Sequence, residues 1–208
     1  PNLHASIGWL DIGAVSGEPG FEHRESFDTL SKTAASGGYT GLAIFPNTAP
    51  VIDNKATLQY VLNATQHHPV SYYPIGAVSK NCEGNDITEM IDMSQHGAVA
   101  FSDGSKSIAS NGLLLRALEY IKSTDSLIIH KPDDPSLSNG NAIHEGKVST
   151  SLGLKASPSL AEVMTVERDI QLAEYAESRL LLHGISAKES IDKIILNKSK
   201  QIYSAVNY

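Results

Sequence analysis

The amino-acid sequence predicts an α/β fold in which parallel strands alternate with helices, as they do in a (β/α)8 barrel. The first observation is that short apolar runs alternate with segments of helical spacing along the chain. The second is that neither G-x-G-x-x-G nor G-x-x-x-x-G-K-[ST] occurs, which disfavours a nucleotide-binding doubly wound sheet. The third is that polar residues follow several of the runs directly, where a barrel carries its functional groups.

Seven apolar runs are predicted strands, because each is short and is separated from the next by a helical or turn-forming segment. They are Trp9–Ala14, Gly41–Phe45, Ser71–Val78, Ala98–Phe101, Ser126–His130, Arg179–Ile185 and Gln201–Val206. A complete barrel has eight strands and about 250 residues, whereas this chain offers seven strands in 208 residues. We therefore expect one domain over residues 1–208, an incomplete barrel that belongs to a longer chain or is closed by another chain.

Five intervening segments place apolar residues on one face at helical spacing and are predicted helices. They are Arg24–Ser36, Thr57–Gln66, Asn111–Ser123, Ser159–Glu177 and Ala187–Lys198. Within the fourth of these segments, Glu162 and the adjacent Arg168 and Asp169 are expected to form a buried or surface pair that orients the helix. Strands that are regularly followed by helices predict a parallel sheet.

Composition excludes several classes of protein. The chain is 41% hydrophobic and 19% charged with a formal net charge of -7, and its lysines and arginines do not cluster, so no nucleic-acid or anionic-membrane partner is expected. No apolar run approaches the roughly 18 residues of a membrane span. The single cysteine, Cys82, excludes an intrachain disulfide framework and indicates a reducing compartment. We expect a cytoplasmic protein.

Motifs at the strand ends resemble those of one enzyme family. The stretch Glu18–Asn54, "EPGFEHRESFDTLSKTAASGGYTGLAIFPNTAPVIDN", resembles the dihydroorotase family of the amidohydrolase superfamily, whose pattern there includes R-E-P-G-x-E and M-P-N-T-x-P-x-x-D. "AVAFSDGS" (Ala98–Ser105) is similar to A-x-x-F-[ST]-D-D-G, and Ile128–Leu154 is similar to a segment that opens with h-x-H-C-E-D. "PSLAEVMTVERDIQLAE" (Pro158–Glu174) and the later "RLLLHGIS" follow in the same register. The likeness covers about residues 8–208.

The resemblance implies a barrel of the metal-dependent hydrolase type and a reaction, the reversible hydrolysis of the cyclic amide dihydroorotate in pyrimidine biosynthesis. That family uses zinc to generate hydroxide at neutral pH and to polarise the amide carbonyl. Its H-x-H motif matches Gly13 and Val15, and the histidine of its H-I-S motif matches Gly184. The arginine that binds the substrate carboxylate matches Gly17. Three ligand positions and the carboxylate clamp have therefore lost their functional groups.

A few family residues remain. Asp103 retains one acid of the D-D pair, and His130 retains the strand-five histidine, although Lys131 follows it where the family has cysteine. Asn47 retains the asparagine that contacts substrate, whereas the family's catalytic aspartate near strand eight has no counterpart. A catalytic zinc needs about three protein ligands, and the Lys131 charge opposes a cation. We expect no metal or other cofactor, with Asp103 and His130 as remnants.

Each retained residue also has a purely structural interpretation. Asp103 can order a loop as a hydrogen-bond acceptor, His130 can be a hydrogen-bonded residue of the barrel mouth, and Asn47 can cap a turn. His183 precedes Gly184, so a one-residue shift of the alignment would place a histidine at the lost ligand position. Because side chains alternate along a strand, we expect His183 to point outward, toward the helices, and not to replace the lost ligand.

Three functions remain open. The first is a non-catalytic dihydroorotase-like protein with a structural or regulatory role, for which the resemblance implies aspartate transcarbamoylase as partner. Alternatively, it is an active cyclic-amide hydrolase whose rebuilt site uses Asp103, His130 and residues beyond Tyr208. The third possibility is a small-molecule binder that uses the barrel mouth. The sequence favours the first, in a homo-oligomer or with a further chain segment that completes the barrel.

Overall fold

The computed structural model describes residues 6–138, 141, 143–197 and 201–206. Its strands are β1 (Trp9–Ala14), β2 (Tyr39–Ile44), β3 (Ser71–Pro74), β4 (Ile128–His130), β5 (Ile143–His144), β6 (Ala156–Ser157), β7 (Leu180–Ile185) and β8 (Ile202–Val206). Its α-helices are α1 (Phe27–Ser36), α2 (Lys55–Thr65), α3 (Met90–Gln95), α4 (Asn111–Ile121), α5 (Pro135–Ser138), α6 (Lys147–Leu152), α7 (Ser159–Ala176) and α8 (Lys188–Leu196). The predicted alternation of strands and helices is confirmed.

The main strands run parallel in a continuous order. One sheet has the order β1-β2-β3 and the other β4-β7-β8. Single parallel bridges from Phe101 to Gly76 and to Ile128 connect the two sheets. The order is therefore β1, β2, β3, Phe101, β4, β7 and β8, and each main strand lies beside the next along the chain, as parallel strands joined by helices do.

Two predicted strands are wrong in extent. The segment Ala98–Phe101 forms bridges only at Phe101 and is otherwise irregular. The run from Ser71 ends as a strand at Pro74 and does not continue to Val78. At the far end of this run the backbone bonds to a side chain instead of a strand: the backbone nitrogen of Val78 donates to the carboxylate of Asp103 at 3.0 Å.

The two outer strands have one sheet neighbour each among the described residues. The sequence also predicts that Ile202–Tyr208 pairs in parallel beside the strand Arg179–Ile185, and this pairing is confirmed over the described residues, with Leu180 opposite Ile202 and Val206 opposite Ile185. Tyr208, the predicted end of that pairing, lies outside the described residues, as does Lys198 at the predicted end of α8. At the opposite edge, β1 pairs with β2 and leaves Trp9 65% exposed.

The core has two layers. The larger cluster packs the sheet against the helices and includes Phe27 of α1, Leu58 of α2, Leu114 of α4 and Val166 of α7. The smaller one, here called the inner-face cluster, comes from strands and adjoining loops; its buried members are Ala43, Phe45, Ile75, Ala100 and Ile129. Since alternate strand residues point to opposite faces, the inner-face cluster lies on the side of the sheet away from the helices.

Several short elements were not predicted. Helices α3, α5 and α6 and the two-residue parallel pair of β5 with β6 are too short for the apolar spacing to show their period. None of the helices in the described segments has the length and apolar character that crossing a membrane requires.

Candidate functional site

The side chain of His130, at the carboxyl end of β4, is buried and uses both ring nitrogens. Nδ1 lies 2.6 Å from Oδ2 of Asp169, and Nε2 lies 2.8 Å from the backbone nitrogen of Ile108. A backbone N–H can only donate, so Nε2 accepts this hydrogen bond and the ring proton is on Nδ1. The lone pair that a metal would need is therefore occupied by a main-chain donor.

Asp169 of α7 fixes the orientation of this histidine through its hydrogen bond with Nδ1. It is fully buried, and its second oxygen accepts from Nε and Nη2 of Arg168 at 2.9 and 2.6 Å. The Arg168 guanidinium also reaches the carbonyl oxygen of Ala109 at 3.3 Å. The expected interaction between Arg168 and Asp169 is present, and it anchors both His130 and the loop before α4.

Glu162, in the first turn of α7, is not a member of that cluster. Its carboxylate accepts from the backbone nitrogen of Ser186 at 3.1 Å, from the Ser186 hydroxyl at 2.6 Å and from the backbone nitrogen of Ala187 at 2.9 Å. The expectation that Glu162 pairs with Arg168 and Asp169 is therefore wrong, because Glu162 caps the amino-terminal end of α8.

Asp103 is 2% exposed and orders a neighbouring loop. Oδ1 accepts from the backbone nitrogens of Val78 at 3.0 Å and Ser79 at 2.9 Å, and Oδ2 lies 2.5 Å from the Ser79 hydroxyl. Burial raises the pKa of this carboxyl above its ordinary value, and the donors from Ser79 and Val78 act in the opposite direction. Both carboxylate oxygens are thus engaged in fixing the turn that follows β3.

The side chain of Asn47 is also directed at this loop. Its amide nitrogen donates to the carbonyl oxygen of Asp103 at 3.0 Å, which ties the loop after β2 to the loop after Phe101. Gly104, where the family has its second acid, adopts φ +65°, and a Cβ there would collide with the Asn47 amide. Asn47 therefore occupies space that a second carboxylate in this backbone conformation would need.

Two of the three lost ligand positions have a left-handed backbone, and the third is exposed. Gly13 has φ +112°, and a Cβ there would lie 2.7 Å from Cε2 of Phe45 and 3.3 Å from Nε2 of His183. Val15 carries its isopropyl group 67% exposed. Gly184 has φ +79° within the register irregularity of β7 between His183 and Ile185. The ring of Phe45 therefore occupies the space that a side chain at position 13 would need.

His183 points to the inner face, contrary to the expectation that it faces the helices. Its ring packs edge-on against Phe45 with the centroids 5.4 Å apart, and Leu181, two residues earlier, packs against the inner-face cluster. Partial burial lowers the pKa of His183 below its ordinary value; the charge of Lys131 lowers it further and Asp11 raises it. The histidine thus lies beside the position of the lost ligands, with a phenyl ring as its neighbour.

The loop after β1 is held by its own carboxylates. Oε2 of Glu18 accepts from the backbone nitrogen of Phe27 at 3.0 Å, and Oε1 of Glu22 accepts from that of Gly20 at 2.8 Å. A Cβ at Gly17 would meet the carbonyl oxygens of Phe21 and Glu25. An arginine clamp therefore has no room at position 17 in this backbone conformation.

The residues present do not fit the zinc ion that the resemblance implies. Gly13, Val15 and Gly184 offer no donor side chain, the Nε2 lone pair of His130 accepts from an amide, and both oxygens of Asp103 are hydrogen-bonded. Within the described ranges, no group of three or more histidine, cysteine, aspartate or glutamate side chains is placed to hold a metal. A catalytic zinc requires about three protein ligands, so no catalytic step through zinc follows from these residues.

A cavity of about 770 Å³ opens beside these residues at the carboxyl ends of β4 and β7. We call it the Lys106–Lys131 cavity, after the two lysines in its wall. Its polar lining consists of Ser105, Lys106, Ser107, Lys131, Asp133, Ser138, Asn141, His144, Ser157, Ser159, Glu162 and Ser186. Lys106 was missed in the sequence, because a lysine in a loop without a motif gives no local signal of a cavity.

Comparison with known proteins gives consistent results. A sequence profile described as dihydro-orotase-like matches residues 7–190. The dihydroorotase of Syntrophotalea carbinolica is 39% identical over 194 residues, which are 93% of this chain and 46% of that protein. The dihydroorotase of Syntrophus aciditrophicus is 41% identical over 188 residues, which are 90% of this chain and 44% of that protein.

Solved structures show the same type of fold. The L-hydantoinase (dihydropyrimidinase) from Arthrobacter aurescens superposes with a TM-score of 0.81 at 19% identity, over 97% of this chain and 47% of that one. A D-hydantoinase superposes with a TM-score of 0.72 at 17% identity, over 96% of this chain and 46% of that one. The chain thus spans about half the length of the curated relatives and solved structures that it matches.

Proposed function

Because the chain belongs to the dihydroorotase-like family of amidohydrolases, we propose that it is a non-catalytic, zinc-free member with a structural or regulatory role in pyrimidine biosynthesis. The observation that carries the proposal is the state of His130, the retained family ligand. Its Nε2 atom accepts from the Ile108 amide at 2.8 Å, and its Nδ1 atom is bound to Asp169. Without a metal to lower its pKa, water supplies no hydroxide at neutral pH.

The closed surroundings of the lost positions support the same proposal. The phenyl ring of Phe45 stands where a side chain at position 13 would begin, and backbone carbonyls stand where one at position 17 would begin. A one-residue change cannot restore ligand and clamp together, since each position is blocked by a different neighbour. The loss thus extends beyond the missing side chains to the packing around them.

We further propose that the chain is the major part of a (β/α)8 barrel that is completed elsewhere. The support is the strand order, in which β1 and β8 each have one sheet neighbour among the described residues. Unpaired strand edges expose N–H and C=O groups, so a further chain segment or a second molecule is expected to cover them. The oligomeric state of the intact protein, measured by light scattering, together with its length, distinguishes these two sources.

The proposed partner is aspartate transcarbamoylase. This proposal rests on the family likeness, in which non-catalytic members accompany that enzyme. We expect the intact protein to co-elute with aspartate transcarbamoylase from the same organism on size exclusion. Separate elution at concentrations well above micromolar contradicts the partnership and leaves the non-catalytic assignment untouched.

The central experiment measures metal content and turnover on the intact protein. We expect less than one equivalent of zinc by elemental analysis and dihydroorotate hydrolysis indistinguishable from background, even after incubation with zinc or manganese. The dihydroorotase of Syntrophotalea carbinolica, treated identically, is the positive control. One tightly bound zinc per chain, or turnover that disappears in the variant His130→Ala, would show that the site is active and that the assignment is wrong.

A further inference from the structure

Ser107, His130 and Asp169 are joined by hydrogen bonds in the order of a nucleophile, a base and a carboxylate. The hydroxyl oxygen of Ser107 lies 3.4 Å from Nε2 of His130, and Nδ1 of His130 lies 2.6 Å from Oδ2 of Asp169. Asp169 and His130 are buried, whereas Ser107 is partly exposed and lines the Lys106–Lys131 cavity. A buried Asp–His pair behind a serine that a small molecule can reach is the arrangement that activates serine nucleophiles.

The proton positions in this group are those that a serine nucleophile requires. Because the backbone nitrogen of Ile108 donates to Nε2, the ring proton is on Nδ1 and is directed at Asp169. The Ser107 oxygen accepts from the backbone nitrogen of Asp133 at 3.4 Å, which leaves its own proton free to point at Nε2. In a serine triad this ring nitrogen is the base that receives the serine proton.

The Ile108 amide holds the group in a resting state. It lies nearer to Nε2 than the Ser107 hydroxyl does, at 2.8 Å against 3.4 Å, and both donors compete for one lone pair. Ser107 and Ile108 are adjacent in the loop before α4, so one displacement of that loop moves the hydroxyl onto Nε2 and frees the amide. In α/β-hydrolases the N–H of the residue after the nucleophile stabilises the oxyanion, so the freed amide is available for the same reaction.

We propose that Ser107, His130 and Asp169 form a metal-independent acyl-transfer site that acts on small esters. The Ser107 oxygen attacks the ester carbonyl carbon while its proton passes to Nε2 of His130. The same proton then goes to the departing alkoxide as the carbonyl carbon–oxygen bond of the ester breaks, and an acyl-serine remains. A water molecule that gives its proton to Nε2 attacks the acyl-serine and releases the carboxylic acid, and Nε2 returns the proton to the Ser107 oxygen.

Esters are the substrate class because their leaving groups depart more easily than the amine of an amide, and this site offers no metal to polarise an amide carbonyl. Neither zinc nor any of the lost ligand positions takes part in the reaction. The inference therefore goes beyond the proposed function, in which the non-catalytic assignment refers to zinc-dependent hydrolysis of dihydroorotate.

The test treats the intact protein, freed of metal by a chelator, with a fluorophosphonate, which phosphonylates activated serines, and locates the adduct by peptide mass spectrometry. We expect one adduct per chain, at Ser107, and a burst of p-nitrophenolate from p-nitrophenyl acetate. Ser107→Ala should lower the rates of labelling and of the burst at least about a hundredfold. Ser105→Ala is the matched control, because it removes a hydroxyl from the same loop and the same cavity wall.

A second variant tests Asp169 as a positioning residue. Its Oδ1 atom is held by Nε and Nη2 of Arg168, so in Asp169→Asn the amide oxygen should stay at Arg168 and the amide nitrogen should face Nδ1 of His130. The ring proton then has to lie on Nε2, which can no longer accept from Ser107. In protein that circular dichroism shows to be folded, we expect nitrogen NMR of the imidazole to show this tautomer and labelling to fall to background.

The proposal is overturned if no adduct forms, if the adduct forms at another residue, or if Ser105→Ala loses labelling as Ser107→Ala does. Labelling of Asp169→Asn at the native rate, with the tautomer changed, also overturns it. A failure of the non-catalytic assignment would instead appear as turnover of dihydroorotate that requires zinc and survives in Ser107→Ala.

Discussion

Replacing Gly13 with alanine tests whether the inner face has closed around the lost ligand position. The residue has φ +112°, which is unfavourable for a side chain, and the new Cβ would lie 2.7 and 2.8 Å from two ring carbons of Phe45. Backbone strain of this kind costs about 1–3 kcal/mol, and overpacking a filled core costs about 1–3 kcal/mol. The variant should therefore lose about 2–6 kcal/mol, a large part of the roughly 5–15 kcal/mol by which domains are stable.

Urea unfolding followed by circular dichroism measures this loss, and a second glycine separates its two causes. Gly84 has φ +72° with no atom within 4 Å of a Cβ, so Gly84→Ala reports backbone strain alone, at about 1–2 kcal/mol. Phe45→Leu removes the colliding ring edge, and the double variant Gly13→Ala/Phe45→Leu should be more stable than additivity predicts by at least about 1 kcal/mol. If Gly13→Ala costs no more than Gly84→Ala, or if the double variant is additive, Phe45 does not block position 13.

Three further predictions concern buried and capping groups. Asp169→Asn should cost about 3–5 kcal/mol in urea unfolding, because it leaves the Arg168 guanidinium without its charged partner; a loss below about 1 kcal/mol contradicts this. Glu162→Ala should cost about 1–2 kcal/mol, the usual effect of removing a helix cap, and unchanged stability contradicts the cap. The pKa of His183 is lowered in the folded protein, so the unfolding free energy should fall as the pH drops through about 6.5. That slope should vanish in His183→Leu and weaken in Lys131→Met, and an identical pH dependence in all three proteins refutes the assignment.

Much of the fold could be predicted from local pattern. Apolar runs and helical spacing identify β1, β2, β7 and β8 and the five longer helices, since each element is long enough to show its own period. The segment Ala98–Phe101 shows the limit, because its apolar residues are buried except for Val99, yet only Phe101 bridges neighbouring strands. A run is apolar because it is buried. It forms a strand only if its backbone hydrogen-bonds to another strand, and the residues of that strand are distant in sequence.

The site was harder to predict than the fold, for reasons that involve distant contacts. The absence of ligands at Gly13, Val15 and Gly184 can be read directly from the motif. The direction of His183 could not, because the irregularity of β7 beside Gly184 interrupts the alternation on which the expectation rested. The partners of His130 lie 22 and 39 residues away, so only the folded chain shows that both ring nitrogens are in use.

The hydrogen bond from the Ile108 backbone amide limits when Nε2 of His130 can bind anything else. A side-chain donor can be deleted by substituting the residue that carries it, but a main-chain amide persists in every residue except proline. Apart from proline, no substitution at Ile108, itself 1% exposed, removes the group that occupies Nε2. The ring nitrogen can become available only if the whole loop between Gly104 and α4 moves. Access to His130 is thus a property of backbone conformation, and a loop rearrangement would be the switch that exposes it.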